Sequence, residues 1–196
     1  MNNYEYIVAS LPVLASDYRG PLDTDEIIGE IRSQLSPKDE VLLDTLLKGF
    51  DADSLDAEFY RKALASKDRF IAGYFGYDLD VRNCRVAYLN KALGRPEGQD
   101  IMVLDEDEPR EFEDIEKVNA VLQGSDILGR ERGLDDILWE RIDSLTLMEV
   151  FTLDQILGFV AKLQIVARWL RLDPQSGREL FRKLVEEIRN NKKSIE

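Results

Sequence analysis

Apolar positions in the middle of the chain repeat with a helical step. Phe70, Tyr74, Tyr77, Val81, Cys84 and Tyr88 are separated by four and three residues in turn. Ile71, Phe75, Leu79, Val86 and Leu93 mark a second face of the same run. This spacing predicts one helix from about Ser66 to Leu93, roughly 40 Å long at 1.5 Å per residue. A helix apolar on two faces is packed from both sides. Gly73 and Gly76 interrupt the pattern and suggest a kink or a close helix crossing.

Shorter helices are expected on either side. Asp23 or Thr24 caps a run containing Ile27, Ile28, Ile31 and Leu35. Ser36 as N-cap and Pro37 in the first turn open another, which Gly49 ends. "DADSLDAEFYRKAL" reads as a turn followed by a short helix. Ile115, Val118 and Leu122 mark a brief helix, and "RGLDDILWERIDSLT" a longer one. Thr152 and Gln155 have capping-box spacing ahead of a helix apolar on most sides. Asp173 and Pro174 open a last helix carrying Phe181, Leu184, Val185 and Ile188. The segment "YEYIVASL" near the N-terminus fits either a short strand or a helix. The sum is an all-α chain, a bundle of seven or eight helices in two lobes. The lobes are residues 1–100 and 117–196, joined by an acidic linker or loop at 101–116.

Composition narrows the class. The chain has 196 residues, 44% hydrophobic and 33% charged, enough to bury a core without disulfides. No apolar run reaches the ~20 residues of a membrane span, and no signal-peptide pattern opens the chain. Cys84 is the single cysteine, so an internal disulfide is excluded. A cytoplasmic location is the expectation. The net charge of −13 disfavours nucleic acid and anionic membrane surfaces as partners. Eight carboxylates between Leu104 and Glu116, against Arg110 alone, supply about half of that charge.

The chain contains no histidine. Ser-His-Asp and Cys-His nucleophile pairs, and His-ligated zinc or di-iron sites, are thereby excluded. No glycine-rich phosphate loop is visible. "DADSLDAEFYRK" fails as a calcium loop, with Leu55, Asp56 and Lys62 where an oxygen ligand, a glycine and a glutamate are needed. Cys84 reads as a small core residue, and Tyr4, Tyr6, Tyr74, Tyr77, Tyr88, Trp139 and Trp169 as core aromatics. No cofactor, metal or catalytic residue is expected.

The long helix carries a polar belt. Asp78, Asp80, Arg82, Asn83 and Arg85 crowd its middle. Asp78 and Arg82 stand i, i+4 in the favourable acid-first order. Asn83 lies between Leu79 and Val86 on the second apolar face. The belt is either a hydrogen-bonded network that fixes how this helix meets its neighbours, or a surface on which a partner docks.

"DLDVRNCRVAYLNKALGRP" resembles a helix of the C-type subunit of V/A-type ATPases, the relative of the d-type subunit of the eukaryotic enzyme. Asp80, Arg82, Asn83, Lys91 and Gly94 take the positions of an Asp-x-x-Asn segment, a basic helix end and a glycine. The run from Trp139 to Val185 is similar in style to the late helices of that protein. "YEYIVASLP" is similar to the start of a small uncharacterised bacterial family whose genes lie among V-type ATPase genes. The chain is shorter than a full C-type subunit, and the acidic segment is not part of that pattern. The resemblance implies a non-catalytic accessory factor or subunit that couples or docks the central stalk to the membrane rotor. Its partners would be stalk and rotor-ring subunits, met at the inner membrane through the complex without insertion. Two other classes remain open: a helical adaptor whose acidic segment binds a basic protein, and a hydrolase that uses carboxylates alone.

Overall fold

The computed structural model describes residues 4–104 and 112–172. These form eight α-helices and no strand. They are α1 (Glu5–Ser10), α2 (Thr24–Gln34), α3 (Pro37–Lys48), α4 (Ala57–Leu64), α5 (Arg69–Leu93), α6 (Ile115–Leu122), α7 (Ile127–Thr146) and α8 (Leu153–Arg171), with a 3-10 turn at Ala52–Ser54. The protein is all-α. The helix expected from Asp173 onward and the acids at 105–111 lie outside the described residues.

Local chemistry sets where the helices begin. Asp23, Ser36, Asp56, Asp68 and Asp126 sit at N-cap positions of α2, α3, α4, α5 and α7. Each side chain accepts the free backbone N–H three residues on. Part of the acid excess is therefore structural. The capping box expected at Thr152 and Gln155 does not form. The Thr152 hydroxyl turns back to Glu149 Oε2 at 2.7 Å, and Gln155 Oε1 is buried with no hydrogen-bond donor.

The N-terminal segment resolves to the helical alternative, α1, tied to the α7–α8 connection by Tyr4 N–H donating to Phe151 O. Tyr6 on that helix is 79% exposed, so the expectation that it joins the core is corrected. Ile7 is the buried residue of this helix, and Tyr6 falls on its uncovered side. α7 starts at Ile127, earlier than the apolar pattern indicated. Its first turns carry exposed Ile127 and Leu128, so the apolar stripe starts later than the helix.

α5 runs through two cores. Its first half sends Phe70, Ile71, Tyr74 and Phe75 into a cluster with Leu43 and Leu46 of α3, Phe59 and Tyr60 of α4, and Ile156, Leu157 and Val160 of α8. Its second half sends Val81 and Cys84 into a smaller cluster with Val118 and Leu122 of α6 and Leu134 and Ile137 of α7. The cores divide the helix by length: Phe70 and Tyr74 of one apolar face and Ile71 and Phe75 of the other all enter the first. α8 packs on α7 and also on α1, α2, α3 and α5.

Two glycines allow close approach. A Cβ on Gly49 would lie 2.1 Å from the Phe75 ring, so this residue makes room for an aromatic as well as ending α3. A Cβ on Gly73 would lie 2.9 Å from Leu145 Cδ2, where α5 meets α7. Both positions lie inside or against an unbroken helix.

Candidate functional site

The polar belt of α5 divides between different neighbours, because residues one apart on a helix point about 100° apart. Asp78 and Arg82 share one side. Asp80 and Asn83 share another, and Arg85 reaches α7.

Asp78 is buried within the bundle. Its Oδ2 accepts the Tyr60 hydroxyl at 2.6 Å and Arg82 Nε at 2.7 Å. The first bond ties α4 to α5. Burial, then the Asp78 charge, pushes the Tyr60 phenol far above its ordinary range, so it acts as a donor only. Arg82 is half exposed, with its stem along the helix and its head at the mouth of a cavity.

On the other side, the Asn83 amide closes a two-way pair with the backbone of Met102. Nδ2 donates to Met102 O at 3.0 Å and Oδ1 accepts Met102 N–H at 3.0 Å. The strand-like stretch 101–104 is thus held against α5 by a side chain that imitates a backbone partner. Asp80, Asn83 and Cys84 line an apolar cavity of about 520 Å³ together with Leu79, Met102, Leu104, Phe112 and Ile115. Burial, with a smaller contribution from Asp80, raises the Cys84 thiol above its ordinary value. Arg85 pairs with Glu131 of α7 at 2.6 Å.

The structure therefore brings Asp78 and Arg82 together, and places Asn83 and Arg85 in separate contacts with other parts of the fold. One described acid of the 101–116 segment, Asp114, is also engaged. Tyr77 donates to Asp114 Oδ2 at 2.6 Å, and its ring meets Phe112 edge-on.

Three residues with marked roles were not foreseen. Asn90 is buried at the end of α5, and its Nδ2 donates to Gln99 O at 2.6 Å. It closes the loop that follows Gly94, whose φ of +64° is a left-handed helix cap. Asp135 of α7 is buried, with Arg168 and the Trp169 indole both donating to its Oδ2. Arg132 stacks on the Trp169 ring and donates to Ser16 O.

Asp78, Arg82, Asp135 and Arg168 line one cavity of about 430 Å³ between α5, α7 and α8. Phe50, Leu55, Tyr74, Leu138 and Ile165 form its apolar walls. Desolvation raises Asp135 above the ordinary aspartate range, against the opposing pull of Arg168 and Trp169. Tyr74, wholly enclosed, is pushed up by burial and by both carboxylates. Two ion pairs, each a buried aspartate with a half-exposed arginine, open on this one space.

No helix among the described residues is long and apolar enough to cross a bilayer. The architecture is that of a helical protein with an internal charged cavity. The chain belongs to the family described as "Protein of unknown function (DUF2764)", whose model matches residues 50–192. α1, α2 and α3 precede the matched region and cover α8 within it. No curated protein and no solved structure matches the chain.

Proposed function

We propose that this protein is a non-catalytic accessory factor or subunit of a V-type ATPase, docking or coupling the central stalk to the membrane rotor. The observation that carries this reading is the segment from Tyr77 to Pro96. It lies in α5, holds Asp80, Arg82, Asn83 and Lys91, and stops at Gly94 in a left-handed cap. That is the basic helix end and glycine implied by the resemblance to the C-type ATPase subunit. An all-α chain is consistent with such a role. A docking face is also at hand. Leu147, Met148 and Val150, on the connection between α7 and α8, are 79%, 86% and 61% exposed. Clustered large apolar side chains left in water are features of surfaces that a partner covers.

The reading is tested by removing the protein from its own cells. Membranes lacking it are expected to hydrolyse ATP with reduced ion pumping, because stalk and rotor are uncoupled. Unchanged pumping by a fully assembled ATPase overturns the proposal.

A second reading, hydrolysis by carboxylates alone, draws on the cavity where Asp78 and a desolvated Asp135 lie. It requires turnover of a p-nitrophenyl ester or phosphate that Asp135→Asn abolishes. The adaptor reading rests on the acidic segment, most of which lies outside the described residues.

A further inference from the structure

Arg82 and Arg168 face the same cavity, and each has one described hydrogen bond to a buried aspartate. Arg82 uses Nε on Asp78, and Arg168 uses Nη2 on Asp135. A guanidinium has five N–H donors. Among the described residues, the remaining donors of these two arginines meet no acceptor. Each pair joins a buried aspartate to a half-exposed arginine, and partly exposed pairs add little stability. What they do here is fix two guanidiniums in orientation at the wall of a cavity, with donors left over.

The charge of the lining has the opposite sign to the chain. Arg82, Arg168 and Arg171 stand there against Asp78 and Asp135, in a protein of net charge −13. A local excess of cation in low-dielectric walls focuses a field that draws anions. Guanidinium groups match the paired oxygens of carboxylate and phosphate. The Gln164 amide adds a neutral polar group, and Phe50, Leu55 and Leu138 add apolar wall. A volume of about 430 Å³ is within the usual range of small-molecule sites.

We propose that this cavity binds a small organic ligand through an oxyanion group, a carboxylate or a phosphate. Arg82 and Arg168 clamp the oxyanion, and Phe50, Leu55 and Leu138 flank the ligand's apolar body. The proposal stands on the lining itself and rests on neither functional reading above.

Nitrogen-15 NMR of the full chain tests it. The two tryptophans give two indole N–H signals. Trp169 Nε1 donates to Asp135 at 2.5 Å and reports on the cavity. Trp139 packs under Lys162 and serves as the internal reference. The probes are sodium benzoate and inorganic phosphate, each compared with sodium chloride at matched ionic strength. The Trp169 signal is expected to shift saturably with a probe while Trp139 stays still. Benzoate saturating first identifies a carboxylate on an aromatic body; phosphate saturating first identifies a phosphoryl group. Gln164→Glu adds a negative charge to the cavity, i, i+4 from Arg168 on α8, where it competes with the ligand for that guanidinium, and is expected to raise the midpoint about tenfold. Arg171→Gln is expected to raise it less. A Trp169 signal that saturates with neither probe overturns the proposal. So does a midpoint unchanged in Gln164→Glu.

Discussion

The Tyr60 hydroxyl lies 2.6 Å from Asp78 Oδ2 inside the bundle, and this bond joins α4 to the long helix α5. Tyr60 is 1% exposed and Asp78 5%, so the Tyr60 hydroxyl has no water as an alternative partner. Tyr60→Phe keeps the ring packing and removes the donor. The expected loss of stability is about 1.5–3 kcal/mol, the usual range for a hydrogen bond to a charged group. Asp78→Ala is expected to cost at least as much, since it strands the tyrosine hydroxyl as well. Urea unfolding of both variants checks this. A loss below about 0.5 kcal/mol in Tyr60→Phe would show that the bond contributes nothing net.

Asn83 anchors the stretch 101–104 through two bonds to one residue. Asn83→Leu fits the apolar surroundings but leaves the Met102 backbone unpaired. A loss of about 1–3 kcal/mol is expected, together with faster hydrogen exchange at the Met102 amide. A variant that melts like the wild type and loses a binding partner would show instead that Asn83 serves docking.

Asp135 gives a pH dependence whose sign follows from desolvation. Its pKa in the folded protein is raised, so the folded state holds this proton more tightly than the unfolded chain. The stabilising contribution is fully present below the unfolded value, about 3.9. It is lost as pH rises through the raised folded value. Relative to Asp135→Asn, the wild type is therefore expected to lose stability as pH climbs from that unfolded value toward neutrality. Parallel stability curves for the two proteins across this window would contradict the assignment.

Gly49 faces the Phe75 ring so closely that a methyl group has no room. Gly49→Ala is expected to cost about 1–3 kcal/mol, the usual penalty for overpacking. Its φ of −70° suits any residue, so the penalty is spatial and should be relieved in part by Phe75→Leu. A double-mutant cycle measures this directly. Additive losses would show that the two positions are independent.

Much of the architecture was legible because it depends on neighbours in sequence. The step of three and four through Phe70, Tyr74, Tyr77, Val81 and Cys84 defines α5, while the division of the helix by length between two cores depends on which helices meet each half. Caps such as Ser36 and Asp68 act three residues away, within reach of a local pattern. The belt at Asp78–Arg85 was visible as polar groups on an apolar helix, but its partners were not. Tyr60, Met102 and Glu131 are separated from it by long stretches of chain. Asp135 was hidden for the same reason. Next to Asp136 it reads as one more acid on a solvated face, and only Arg168 and Trp169, brought in by α8, reveal it as buried. Asn90 was masked by its place near a helix end, where polar residues are ordinary. The Thr152–Gln155 spacing misled because Glu149 competes for the threonine hydroxyl.

The central claim concerns partners, and a native-condition pull-down of the tagged full chain from its own cells, read by mass spectrometry, tests it most directly. The account predicts recovery of V-type ATPase stalk or rotor-ring subunits, and their loss when Met148 on the exposed α7–α8 connection is changed to Asp. Recovery without any such subunit, from cells whose V-type ATPase is assembled and abundant, would contradict it.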